Sequence, residues 1–326
     1  MSIVETLKTL MNVPGVSGRE DKIREAIIKE VTPYADRVSV DKLGNVIAKK
    51  GGQGKKIMFC AHMDEIGFFA SYIDSNGLIK VSAVGGVNRL SAAYSYVVSE
   101  KGTCGVLVPE GGDGVPEADK MYIDIGAKTK KQAEKKVCVG DFFVCQPTMK
   151  KLLGTRYVGR PFDNRVGCAI MIEALKEMKD TENDVYFVFS TQEEVGSRGA
   201  KPAAYAINPH IGIALDVTMA DKPGVSNVSM KIGEGCTVKI KDSGAISSPR
   251  LVAKMKEIAA DNKIKYQNEI LLQGGTDHSV IQVTGTGAEV SAISIPTAFI
   301  HTGVEMIDME DVKNAVLLTA RLAEQL

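Results

Sequence analysis

An excess of charge of either sign is missing from this sequence: Lys+Arg 40 against Asp+Glu 40 gives a formal net charge of +0 over 326 residues. No block of basic residues interleaved with aromatics occurs either, which excludes a nucleic-acid partner as the first reading. The six cysteines, Cys60, Cys104, Cys138, Cys145, Cys168 and Cys236, are scattered without a C-x-x-C pair. Several lie inside apolar runs, where a thiol behaves as a small hydrophobe, so the pattern fits a reducing compartment. No run approaches the ~18 apolar residues of a membrane span. The segment Met1 to Lys8 carries charges where a signal peptide needs an unbroken apolar core. The expectation is a cytoplasmic protein that does not cross a membrane. Internal repeats and low-complexity segments are absent. The stretch Gly111-Gly112-Asp113-Gly114 is not followed by the Lys-Ser/Thr of a phosphate loop and reads as a plain loop.

What is present is an alternation of apolar strands and amphipathic helices. Two capping-box patterns, Ser2 with Glu5 and Ser17 with Glu20, open helices carrying Val4, Leu7, Leu10, Met11 and then Ile23, Ala26, Ile27, Val31. Val38 and Val40 pair across the turn Gly44-Asn45 with Val46 to Ala48 as a hairpin. The run Ile57 to Ala61 is apolar on both faces, as a central strand is, and stops at His62. From about Phe68 to Gly159 the texture changes to short strands and turns, with one charged helix around Lys130 to Lys136. Longer elements then resume: a helix from about Asn164, the strand Val185 to Phe189, a helix over 200–205 and the strand Ile211 to Leu215. Ser248-Pro249 places an N-cap and a first-turn proline ahead of a further helix. Strands at 270–272 and 290–295 and a helix from about Glu310 complete the chain. The fold class expected is α/β, a doubly wound mixed sheet flanked by helices, zinc-peptidase-like. Residues 1–68 plus 160–326 would form it, and 69–159 an inserted small β-rich domain.

The strand Val185 to Phe189 runs into Thr191-Gln192-Glu193-Glu194-Val195-Gly196. Open α/β sheets keep their ligands at the carboxyl ends of the strands, so two adjacent acids are aimed at that place. Successive side chains of an extended segment point to opposite sides, and one carboxylate can bind a cation while the other moves a proton. Strand geometry alone allows either order. Further acid and imidazole positions recur at predicted strand ends or adjoining loops: His62 with Asp64, Asp163, Asp216 and His301. Imidazole with carboxylate, and no thiolate, suits an open catalytic centre for zinc, cobalt or manganese. Two divalent ions bring four positive charges. Asp163, Asp216 and Glu194 with one bridging hydroxide cancel them, neutral His62 and His301 add nothing, and Glu193 is left unbound. Asp64, two residues past His62, is placed to orient the imidazole. An unbound Glu beside a metal-activated water suits amide hydrolysis. His210 reads as a structural residue, Cys60 and Cys168 as core, and Asp163 can also cap the helix after it.

The segments Ala61 to Gly67, Gly159 to Gly167, Gln192 to Gly199, Leu215 to Val217 and Ser294 to Glu305 together resemble the motif set of the tetrahedral, or TET-type, di-metal aminopeptidases. That group includes glutamyl, leucyl, lysyl and deblocking aminopeptidases and proteins called cellulase M. The resemblance covers essentially the whole chain. It implies that His62 and Asp216 hold one metal, Glu194 and His301 the other, and that Asp163 bridges them. Glu193 would be the general base and Asp64 the orienter of His62. A cis peptide from Asp163 to Asn164 and a twelve-subunit tetrahedral homo-oligomer, built with contacts from the inserted domain and admitting short peptides, are also implied. The chain departs from the pattern twice. The region 108–120 lacks a Lys-Pro-Pro-His stretch, and Gly274-Gly275-Thr276-Asp277 is followed by His278 where a small residue is common. His278 reads as a pocket-wall residue or as a buried, satisfied polar group. Rival functions are a glycoside hydrolase, from the cellulase naming of some relatives, and a non-catalytic peptide-binding scaffold.

Overall fold

The computed structural model describes residues 2–111, 117, 120–221 and 229–326; part of the Gly111 to Gly114 loop and of the 108–120 region therefore lies outside the described residues. Its central feature is an eight-stranded mixed sheet in the spatial order Arg37–Val40, Val46–Gly51, Asp184–Ser190, Lys56–His62, Ile211–Met219, Glu289–Thr297, Cys236–Lys241, Tyr266–Ile270. The middle four strands are mutually parallel. The first hairpin joins them antiparallel, as does Cys236–Lys241. The run Ile57 to Ala61 is at most 1% exposed because helices cover both of its faces.

On one face lie the helices Ile3–Met11, Asp21–Val31, Arg165–Glu177, Pro249–Asp261 and Met309–Gln325, packed through Leu7, Ile27, Ile170, Met255 and Leu318. On the other lie the shorter Ala200–Ile207 and His278–Gln282, over Met58, Cys60, Val188 and Val290. Ser248 caps its helix as its sequence indicates, accepting from Leu251 N–H. Three other capping expectations fail. Ser2 occupies the N-cap without a side-chain bond. Ser17 gives its hydroxyl to Asp64 instead of a helix, and the cap position is taken by Glu20. Asn164, not Asp163, caps the helix that follows, accepting from Gly167 N–H.

Between the two halves of the sheet the chain leaves to form a closed six-stranded barrel from Gly67–Ile73, Ile79–Val84, Met121–Asp124, Cys104–Pro109, Tyr96–Ser99 and Phe142–Cys145. Its interior is filled by Phe68, Leu107, Ile123 and Phe143. The next hairpin, Thr148–Lys151 with Arg156–Arg160, pairs with Glu305–Asp308 in a three-stranded sheet apart from the barrel. The strand expected at 270–272 instead covers Tyr266–Ile270, and the strands Cys236–Lys241 and Met121–Asp124 were not anticipated. No helix among the described residues is long and apolar enough to cross a membrane.

Candidate metal centre

His62 closes its strand, Asp216 lies three residues before the end of the neighbouring parallel strand, and Glu193 with Glu194 comes after Thr191 and Gln192 beyond the strand between His62 and the hairpin. His301 comes from the loop after Glu289–Thr297, and Asp163 from the loop before the helix Arg165–Glu177. Sequence positions spread over 239 residues thus converge because parallel strands all end on one side. The backbone bends to serve them. Gln192 (φ 55°) and His301 (φ 62°) adopt left-handed conformations without being glycine, and the peptide from Asp163 to Asn164 is cis.

Asp163 lies at the middle. His62 Nε2 is 3.2 Å from its Oδ1, and His301 Nε2 is 3.2 Å from its Oδ2. Asp216 Oδ1 sits 3.7 Å from His62 Nε2 and Glu194 Oε2 3.3 Å from His301 Nε2. Two groups of donor atoms result, His62–Asp163–Asp216 and Asp163–Glu194–His301, each with ligand atoms within 4.8 Å of one another. Asp163 Oδ1 and Glu194 Oε1 are buried without a hydrogen-bond partner, the condition expected of oxygens whose partner is a cation. The donor set fits divalent ions, three side chains each with a shared carboxylate. Glu193 belongs to neither group. Its Oε1 accepts from Ser197 Oγ at 3.3 Å, and its Oε2 is 3.8 Å from His62 Nε2.

The electrostatics report the same cluster. Burial alone would lower the His62 pKa, but Asp163, Asp216 and Asp64 hold it well above the ordinary value. Burial would likewise lower the His301 pKa, but Asp163 and Glu194 outweigh it and take the value up to about 11. Burial raises Asp216 to about 6 against the pull of His62. Glu193 is pushed well above the carboxylate range, first by burial and then by Asp277, Asp216 and Glu194, against the opposing charge of His62. The residues crowd negative charge that a cation would relieve.

Outer contacts fix the orientation of these groups. His301 Nδ1 is 2.9 Å from Gly86 O, a carbonyl supplied from the loop beside the barrel. Asp64 is 3.5 Å from His62 Nδ1, but its carboxylate chiefly accepts from Ser17 Oγ (2.6 Å) and from the backbone N–H groups of Glu193 (3.0 Å) and Glu194 (3.3 Å). The sequence reading missed Glu305. This buried carboxylate accepts from Phe162 N (2.6 Å) and Asp163 N (3.2 Å) through Oε2 and from His301 N (3.1 Å) through Oε1. Its only signal was an acid four residues past His301 at the start of a strand. Asp277 was missed as well. It accepts from Ser190 Oγ at 2.5 Å and from Cys60 Sγ at 3.3 Å beneath the site.

His278 does not line the cavity. It is fully buried, and its Nδ1 meets Thr276 Oγ1 at 2.9 Å. His210 Nδ1 accepts from Lys56 N at the other end of the strands, as a structural residue. Cys168 is buried and donates to His62 O. The cavity over the donor groups encloses about 330 Å³. A larger one, about 580 Å³ around Lys55, His210 and Glu289, opens at the amino ends of the strands, away from both donor groups.

Residues 44–318 match the model of the M42 glutamyl aminopeptidase family. A candidate aminopeptidase of Acetivibrio thermocellus is 45% identical over 318 residues, 96% of each chain. An aminopeptidase from the archaeon Desulfurococcus kamchatkensis has a similar structure, TM-score 0.96 at 36% identity, over 99% of this chain and 95% of that one. The TET1 peptidase of Pyrococcus horikoshii, which can assemble into a tetrahedron or a large octahedral shell, superposes with TM-score 0.92 at 35% identity over 100% of both chains.

Proposed function

The chain belongs to the M42 glutamyl aminopeptidase family and is a peptide hydrolase, and from that premise we propose that it removes N-terminal residues from short peptides with two divalent ions and Glu193 as general base. One observation carries the reading: two three-donor groups share Asp163 while Glu193 is in neither. His62 and Asp216 would hold one ion, Glu194 and His301 the other, and Asp163 would give an oxygen to each. When bound, the ions supply polarisation of the scissile carbonyl and activation of the attacking water. Glu193 takes the proton of that water and returns it to the leaving amine. Ser197 steadies the Glu193 carboxylate, and Asp64 fixes the backbone of the Glu193–Glu194 pair together with the His62 ring.

Zinc, cobalt and manganese all suit this donor set. The catalytic part is formed by residues 1–68 and 160–326, and the inserted part, 69–159, serves assembly and access. Support for the latter comes from Gly86, whose carbonyl faces His301 from the insert. We place the protein in the cytoplasm as a homo-oligomer, and the likeness to the TET1 peptidase supports a tetrahedral dodecamer. A glycoside hydrolase works with a carboxylate pair and no metals, so imidazoles interleaved with carboxylates speak for the peptidase. The test is hydrolysis of aminoacyl-p-nitroanilides with added cobalt, manganese or zinc. Activity abolished by a chelator and restored by metal is expected; no hydrolysis of any aminoacyl substrate overturns the proposal.

A further inference from the structure

The cavity over the donor groups has two unlike halves. One is the metal-side wall of His62, Asp163, Glu193, Glu194, Asp216 and His301. The other is made by Met219, Leu271, Gln273, Thr276 and Ile300, with Val217, Thr218 and the backbone of Gly274 and Gly275. Among the described residues this second half contains no Lys, Arg, Asp or Glu. A scissile carbonyl placed beside Glu193 sets the side chain of the N-terminal residue against this half, since the metal-side wall is taken up by the donor groups.

The charges buried behind Thr276 and His278 are paired with one another. Lys239 Nζ is 2.5 Å from Glu269 Oε1 and 3.5 Å from Asp242 Oδ2, and all three side chains are fully buried. Thr276, whose backbone and side chain form part of the wall, has its hydroxyl 2.9 Å from His278 Nδ1, and burial lowers the His278 pKa to about 4, so it is neutral at pH 7. Among the described residues lining this half, an acidic side chain would find no cation to pair with, and a basic one no carboxylate. A charged side chain losing its water without a partner is strongly disfavoured, whereas an apolar one gains by burial against Met219, Leu271 and Ile300.

The geometry points to an aminopeptidase selective for uncharged, apolar N-terminal residues of the size of leucine or methionine, with Leu271 and Met219 as the residues that set the preference. This rests on the aminopeptidase reading above.

The experiment is a panel of Leu-, Met-, Glu- and Lys-p-nitroanilides with the metal-loaded wild-type protein and with Leu271→Arg. For the wild type, kcat/KM for Leu and Met should exceed that for Glu and Lys by at least about tenfold, the scale set by one apolar contact in a pocket. Leu271→Arg should lower the Leu value and raise the Glu/Leu ratio, with metal content unchanged. A wild type that prefers Glu or Lys, or a Glu/Leu ratio unmoved by Leu271→Arg, overturns the pocket assignment and leaves the peptidase reading standing. Absence of hydrolysis with all four substrates, in a folded and metal-loaded protein, overturns the reading and the inference together.

Discussion

Glu193 and Glu194 are adjacent in sequence, and the different roles proposed for them follow from what each faces. Glu194 Oε2 sits beside His301, while Glu193 is in neither donor group and touches Ser197. Replacing Glu193 with Gln keeps the shape and removes the base. Metal content should stay at the wild-type level while kcat falls by about 10²–10⁴-fold, the usual contribution of a general base. Retained turnover would take Glu193 out of the role. Glu305 makes the complementary case. Glu305→Gln keeps one acceptor oxygen but turns an N–H donor toward backbone N–H groups of Phe162, Asp163 or His301. Metal affinity at the Asp163–Glu194–His301 group should weaken by about 10–100-fold, the usual effect of losing an outer contact. Calorimetric titration with metal measures this, and unchanged binding would show that the carboxylate is only packing. His62, Asp216 and the Glu193–Glu194 pair were legible in the sequence because charge near the end of an apolar strand is conspicuous, while Asp163 and His301 lie in adjoining loops. Glu305 and Asp277 were not, because they act on backbone groups and on neighbours brought close only by folding.

At the scale of elements, the loop carrying the Glu pair is held from behind. Thr191 N–H donates to Asn45 Oδ1 at 2.9 Å, and Asn45 Nδ2 donates to Gly199 O at 2.9 Å, closing the loop onto the first hairpin. Gly199 is where this closure is tightest: a Cβ there would stand 2.4 Å from both Thr191 O and Asn45 Oδ1. Gly199→Ala must therefore push the loop away from the hairpin and shift Glu193 with it. The expected result is loss of about 1–3 kcal/mol of stability, as for overpacking elsewhere, measured by denaturant unfolding and accompanied by lower kcat. A variant with wild-type stability and turnover would contradict the tight closure. The central strands were readable because a parallel strand covered on both faces is apolar throughout, as Ile57 to Ala61 is. Cys236–Lys241 escaped notice, and Tyr266–Ile270 was expected too late in the chain, for the opposite reason. Their buried face carries Thr237, Lys239 and Glu269, whose hydrogen bonds and ion pair replace apolar contact. Alternation there looks like a solvated edge until the partner strand is in place. The capping boxes at Ser2 and Ser17 misled because a Ser three residues before Glu is also common where its hydroxyl has another use; at Ser17 that use is Asp64.

For the whole molecule, the barrel is more than a separate unit attached to the sheet. Its adjoining loop brings Gly86 O to His301, and a Cβ on Gly85 would come within 3.1 Å of Glu194 Cβ. Movement of the barrel relative to the sheet would therefore be felt at one of the two donor groups. The change of texture near Phe68 announced this unit in the sequence, but its closure into a barrel depends on pairing between distant strands, Tyr96–Ser99 with Phe142–Cys145, that no local pattern encodes. On its outside the barrel exposes Leu90, Tyr94 and Tyr96, each 71–74% accessible. Large apolar side chains grouped on a surface mark a protein contact, and under the oligomer proposed above this is the surface that would meet a neighbouring copy. Leu90→Glu combined with Tyr96→Glu would set like charges against each other across such a contact. The oligomer should then dissociate to a smaller species by light scattering after size exclusion, while the monomer keeps its thermal transition because neither side chain belongs to the barrel interior. Metal content should also be retained, since Gly85 and Gly86 are untouched. If the double variant keeps the wild-type mass, assembly uses another face of the molecule, and the barrel's contribution is confined to the His301 side of the metal centre.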